Sequence, residues 1–136
     1  MPASSRETTH AKVKPATKRS QRSSVASRKP FLRFYHSDAL RVKTLAVLAT
    51  IEKAKDSRQH RDALADIVVE LTDSGMEYYF LRPLKIANAG FFTEQTAKVG
   101  MSATTSVLGT VIRNIIGRMD PPQLLSVSGY VRQLMK

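Results

Sequence analysis

The sequence predicts an all-α fold, a helical bundle of four or five helices preceded by a disordered basic N-terminal arm. Three observations lead there. From Ser37 onward, apolar residues recur at three- and four-residue spacing, the period of a helix with one buried side. Helix start and stop residues punctuate that pattern, among them Gly75, Gly90 and the pair Asp120-Pro121. Composition also changes near residue 30, before which the chain has no Leu, Ile, Phe, Tyr or Trp. At 136 residues and 42% apolar content, the chain suffices for one domain with a real core and is short for two. The expected division is an arm over 1–30 and a single helical domain over 31–136.

The arm holds Arg6, Lys12, Lys14, Lys18, Arg19, Arg22, Arg28 and Lys29 against Glu7, a net charge of +7. Residues 31–136 hold 14 basic and 10 acidic residues, a net of +4, so most of the overall +11 sits in the arm. With no large apolar side chain to bury, the arm cannot offset the entropy of ordering its backbone. The cluster Phe31-Leu32-Arg33-Phe34-Tyr35 is then where the chain is expected to dock onto the core.

Ser37 or Asp38 can cap a first helix running to about Lys55, since their side-chain oxygens accept from the free N–H groups of the first turn. Leu40, Val47, Leu48 and Ile51 share one side and Val42, Leu45 and Ala49 another, the pattern of a helix touched on two sides. A second helix, about Gln59 to Thr72, carries the stripe Leu64, Ile67, Val68 and Leu71, with Gly75 placed as its stop. In Met76–Asn88, Pro83 implies either a short turn and a restart or a kinked helix, ended by Gly90. A fourth helix is expected from about Phe92 to Arg118, with Ala97, Met101, Leu108, Ile112, Ile115 and Met119 as its buried stripe. Its small-residue middle, Gly100 to Gly109, lets another helix approach and also allows a break at either glycine. Asp120-Pro121 opens a last helix to about Met135, burying Leu124, Val127, Val131 and Leu134.

Several kinds of chemistry lack their residues. Without cysteine there is no disulfide, thiolate zinc site, iron–sulfur ligation or thiol catalysis. There is no Gly-x-Ser-x-Gly elbow and no glycine-rich phosphate loop. His10, His36 and His60 have no spacing to a nucleophile. The one Glu-x-x-His, Glu7–His10, lies in the arm, and the row Asp62, Asp66 and Glu70 reads as a solvated face, with an ion or partner site as the alternative. No cofactor or metal is expected, and no run is apolar enough for a membrane span. A helix-turn-helix between the first two helices would need a basic reader, whereas the second helix is acidic.

Two features point to binding. Lys12, Lys14, Lys18, Arg19, Arg22, Arg28 and Lys29 form an electrostatic footprint for a polyanion such as DNA or RNA, although a targeting segment or a solubilising tail accounts for the same residues. Tyr78, Tyr79, Arg82 and Lys85 set aromatics beside cations, either as a partner surface or as a packed aromatic edge with solvated charges. The expectation is a non-enzymatic binding protein, soluble and intracellular, whose arm contacts nucleic acid or another polyanion. The alternative is an assembly or regulatory subunit that pairs through its helices with itself or a protein partner. An enzyme would need Tyr78 or Tyr79 brought to a buried Lys or Asp.

Overall fold

The computed structural model describes residues 29–136. The fold is all-α, with four long helices, a short fifth and no strand among the described residues. Helix α1 spans Asp38–Lys53, a 3-10 turn Ser57–His60, α2 Arg61–Met76, a π-turn Glu77–Leu81, α3 Arg82–Ile86, α4 Phe91–Ile116 and α5 Pro121–Leu134. Residues Phe34–Lys136 make one compact unit. Of the proposed polyanion contacts, Lys12, Lys14, Lys18, Arg19, Arg22 and Arg28 lie outside the described residues, as does the arm expected over 1–30 except for Lys29 and Pro30, both exposed. In the docking cluster, Phe31, Leu32, Arg33 and Tyr35 are exposed and only Phe34 is half-buried. The Arg33 guanidinium instead lies 4.4 Å above the Phe31 ring.

Ser37 caps α1, its Oγ accepting the Leu40 N–H at 3.1 Å. The helix packs against α2 and α5 and buries Thr44, Leu48 and Ile51. Thr44 is tolerated there because its hydroxyl donates to the Leu40 carbonyl at 2.7 Å. Two neighbours leave part of the circumference uncovered, so Val42 faces solvent rather than a second apolar contact.

Gly75 does not stop the second helix. The backbone stays right-handed helical from Arg61 through Ile86, so α2, the π-turn and α3 form one continuous rod. The π-turn is how the rod accommodates Pro83, whose ring would clash with the carbonyl four residues back in a regular α-helix. In that turn the Arg82 N–H reaches five residues back to the Glu77 carbonyl, which widens the helix just before the proline. The rod ends at Asn88, whose φ of 52° is the left-handed conformation of a helix stop. The Asn88 N–H donates to the Lys85 carbonyl and the Ala89 N–H to the Leu84 carbonyl, both at 3.1 Å, completing a Schellman motif. Gly90 follows with φ 94° and ψ 156°, a region open essentially to glycine alone, and turns the chain into α4.

Helix α4 is unbroken at Gly100 and Gly109 and packs against α2 along much of its length. Its buried residues are Gly109 and Ile116, whereas Leu108 and Ile115 of the expected stripe are exposed. Ala97, Met101, Ile112 and Met119 of that stripe are half-buried as expected, and between them the close contact is made at Gly109, where the missing Cβ admits the Val69 methyls, 3.6 and 3.7 Å from where that Cβ would stand. In α5 the expected capping holds: the Asp120 carboxylate accepts the Gln123 N–H and the Gln123 side chain accepts the Asp120 N–H, both at 2.9 Å. Its buried line is Leu124, Ser128, Val131 and Met135, and Leu134, at 63% exposure, is not part of it.

The core gathers Leu48, Ile51, Leu64, Ala65, Ile116, Leu124, Val131 and Met135, with Leu45, Val68, Leu71 and Ile112 packed around it. These residues come from α1, the first half of α2, the last turn of α4 and α5. Polar links tie the same region: Arg132 grips Glu52 through two bonds of 2.8 and 2.9 Å, and Arg61 donates to the Met119 carbonyl. The acidic row is exposed but not merely solvated, since Asp66 pairs with Arg113, Glu70 with Lys43, and Asp73 accepts from Thr105 at 3.2 Å.

Two contrasts follow. Gly75→Ala, whose Cβ would sit 3.7 Å from the Phe34 ring, should raise stability by about 0.5–1 kcal/mol in denaturant melts. Gly90→Ala, with no side-chain clash but a forbidden φ, should lower it by about 1–3 kcal/mol. The Arg58 side chain and its N–H hold the Asp56 carboxyl below its usual range. Its stabilising charge is therefore present above the unfolded value of about 3.9 and lost as pH falls through the lower folded value. Asp56→Asn should be less stable than the parent at neutral pH, and equilibrium melts should show that gap closing on acidification.

Candidate functional site

The sequence places aromatics in two separate stretches, before α1 and at the π-turn, and the fold brings them together. Phe34 packs over Gly75, and its ring meets Tyr78 at 6.3 Å and Tyr79 at 6.2 Å, centroid to centroid. Tyr78 and Tyr79 stand edge to face at 5.4 Å, and Tyr35 approaches Tyr78 edge-on at 6.1 Å. Such tilted and edge-on pairs set the positive rim of one ring against the negative face of the next. Tyr78 is half-buried, while Tyr79 and Phe80 are exposed, so the three successive aromatics diverge around the widened turn.

Beside this cluster lies a cleft of about 500 Å³ whose walls include Tyr35, His36, Glu77, Tyr78, Arg82 and Lys85. The Arg82 guanidinium stands 5.2 Å from the Tyr78 ring centroid, a cation–π contact that orients it at the cleft wall. Of the proposed partner surface, Tyr78, Arg82 and Lys85 therefore share one cleft, and Tyr79 joins the aromatic cluster without lining it. Tyr35, which sequence reading assigned to core docking, and His36, to which it gave no site role, are additions. Their link to the π-turn is a non-local contact that no local pattern encodes.

Chemically, the cleft offers an exposed tyrosine ring for stacking and two cations for an anion, with Glu77 as the one opposing charge. Lys85 and Glu77 are exposed, so Tyr78 has no buried Lys or Asp beside it. A second groove of about 550 Å³ runs between α2 and α4 past Val69, Asp73, Lys98, Met101 and Arg113, its charges balanced in sign. Among the described residues, no three His, Asp or Glu side chains gather as a metal site requires. No described helix is long and apolar enough to cross a membrane. No family model, curated protein or solved structure matches the chain.

Phe34→Ala removes the ring that joins the two aromatic stretches. It should lower stability by about 1–2 kcal/mol, less than a fully buried phenylalanine would, and alter the near-UV circular dichroism of the tyrosines.

Proposed function

We propose that the chain is a non-enzymatic binding protein whose basic arm contacts the phosphates of nucleic acid, with the aromatic–cation cleft adding a stacking and anion-contacting surface. The charge partition carries this reading: +7 within residues 1–30 against +4 in all the rest. A concentrated charge of one sign raises the local concentration of polyanions and speeds their capture. The arm's own composition supplies attraction without sequence reading, since it has no aromatic residue to stack on a base. Tyr35 and Tyr78, which follow it in the chain, supply rings of the kind single strands stack on, and Arg82 and Lys85 supply phosphate contacts beside them. Non-nucleic polyanions would engage the arm but gain nothing from the rings.

A second reading, an assembly subunit whose arm is only a tail or an address, is favoured by the exposed apolar residues of α4.

Fluorescence anisotropy with single-stranded and duplex DNA and RNA, over a salt series, tests the first reading. Affinity should fall with a log–log slope of about −5 to −7, as six to eight phosphate contacts require. Replacing Lys12, Lys14, Lys18, Arg19, Arg22, Arg28 and Lys29 with Gln in the full chain should abolish binding. Arg82→Ala should weaken single-strand binding by about three- to tenfold and leave heparin binding unchanged. Undiminished binding by the Gln variant would overturn the proposal.

A further inference from the structure

The charges of the cleft are left unpaired. Among the described residues, ion pairs join Lys43 to Glu70, Asp56 to Arg58, Asp66 to Arg113 and Glu52 to Arg132, and none involves Glu77, Arg82 or Lys85. Glu77 lines both the cleft and the α2–α4 groove, so it stands where the two meet, and Arg82, Lys85 and Lys98 share those walls. Arg82 is the natural partner, since its own N–H donates to the Glu77 carbonyl across the π-turn. Its guanidinium lies against the Tyr78 ring instead and covers one face of that tyrosine. Tyr35, at 81% exposure, is therefore the open ring of the cleft, and the Glu77 carboxylate is left without an ion partner. The other polar walls are partly engaged, because His36 Nδ1 donates to the Ser37 carbonyl at 3.2 Å and the Ser37 Oγ caps α1.

A carboxylate beside phosphate contacts has a cost, because it repels the anion that the cations attract. That cost is offset where the carboxylate accepts hydrogen bonds from the same ligand. On a nucleotide the donors are the N–H groups of the base edge, which a single strand leaves unpaired. Guanine presents two adjacent donors there, N1–H and the N2 amino group, which match the two oxygens of one carboxylate. Adenine and cytosine set one amino group beside a bare ring nitrogen. Thymine and uracil flank their one N–H with two carbonyl oxygens, which a carboxylate repels.

From these unpaired charges we infer that the cleft prefers guanine: the base stacks on Tyr35, its N1–H and N2 amino group donate to the Glu77 carboxylate, and Arg82 and Lys85 hold the adjoining phosphate. The volume of about 500 Å³ lies within the range that small ligands fill. The inference rests on the nucleic-acid reading and names the base that its cleft selects. The arm contributes affinity common to every sequence, and the cleft contributes the difference between bases.

Fluorescence anisotropy of the full chain with thymidine decamers carrying one central guanine, hypoxanthine, adenine or thymine reads this preference. The guanine decamer should bind about five- to tenfold tighter than the adenine and thymine decamers, the lower end of what a bidentate base contact gives, because the cleft is open to solvent. Hypoxanthine, which keeps N1–H and lacks the amino group, should fall between them. Glu77→Gln, at an exposed position, should preserve helicity by circular dichroism. It should bring the guanine decamer to the level of the adenine one and leave the all-thymine decamer bound as tightly or more tightly, since a negative charge has gone. Lys85→Gln should weaken all four alike. Equal binding of the guanine and adenine decamers by the parent would assign any purine preference to stacking and overturn the inference. A Glu77→Gln variant that tightens all four equally would reduce Glu77 to a repelling charge and overturn it too. Both results leave the nucleic-acid reading standing, whereas failure to bind any decamer at low salt would overturn that reading and the inference with it.

Discussion

The packing of α1 and α5 against the base of the α2–α4 pair is the contact on which the rest of the fold depends. Leu48, Leu64, Ile116 and Leu124 meet there, each from a different helix and each almost wholly removed from water. Gly109 lets α4 settle against Val69, and that approach fixes which residues of α4 turn inward. Once Ile116 is the inward residue, Ile115 must face out, because neighbouring positions differ by 100° around the helix. Surface ion pairs such as Lys43–Glu70 decorate these interfaces but contribute little by comparison with the buried apolar area.

Concentrating the core at one end leaves the other end thin. Beyond Val69 the rod of α2, the π-turn and α3 buries only Leu81, and the first half of α4 buries nothing. The surplus aromatic and apolar side chains there are therefore available: the tyrosines and Arg82 at the cleft, and Phe91, Phe92 and Val99 in the first half of α4. In the proposed reading this becomes a division of labour, in which one end holds the fold, the cleft at the other presents a surface, and the arm would supply long-range attraction to polyanions.

Much of the fold was legible because local signals were strong. The stripe of α2 stood against an acidic side, so Leu64 and Ile67 were placed correctly, and the pair Asp120-Pro121 marked the start of α5. In α4 the inward placing of Ala97, Met101 and Ile112 was legible, but Leu108 and Ile115 were not separable from their neighbours: apolar residues occupy both sides, and only the fit of Gly109 to Val69 puts Leu108 outside. Gly75 misled for a related reason. A glycine marks a possible stop, but the stop needs a left-handed residue where the loop begins, and Asn88 supplies it. At the cleft, Tyr78, Arg82 and Lys85 were found from their adjacency in sequence. Tyr35 and His36 were not, because their partners lie a helix and a half away along the chain.

The central claim is that stability resides at the base, while the cleft proposed for binding lies at the thin end. Hydrogen exchange resolved by mass spectrometry tests it directly, since amides in the core open only with the whole fold while poorly buried ones open locally. The account predicts the slowest exchange in residues 44–51, 64–68, 112–116 and 124–131, with residues 77–86 exchanging markedly sooner. Protection in 77–86 equal to that of the core segments would contradict it.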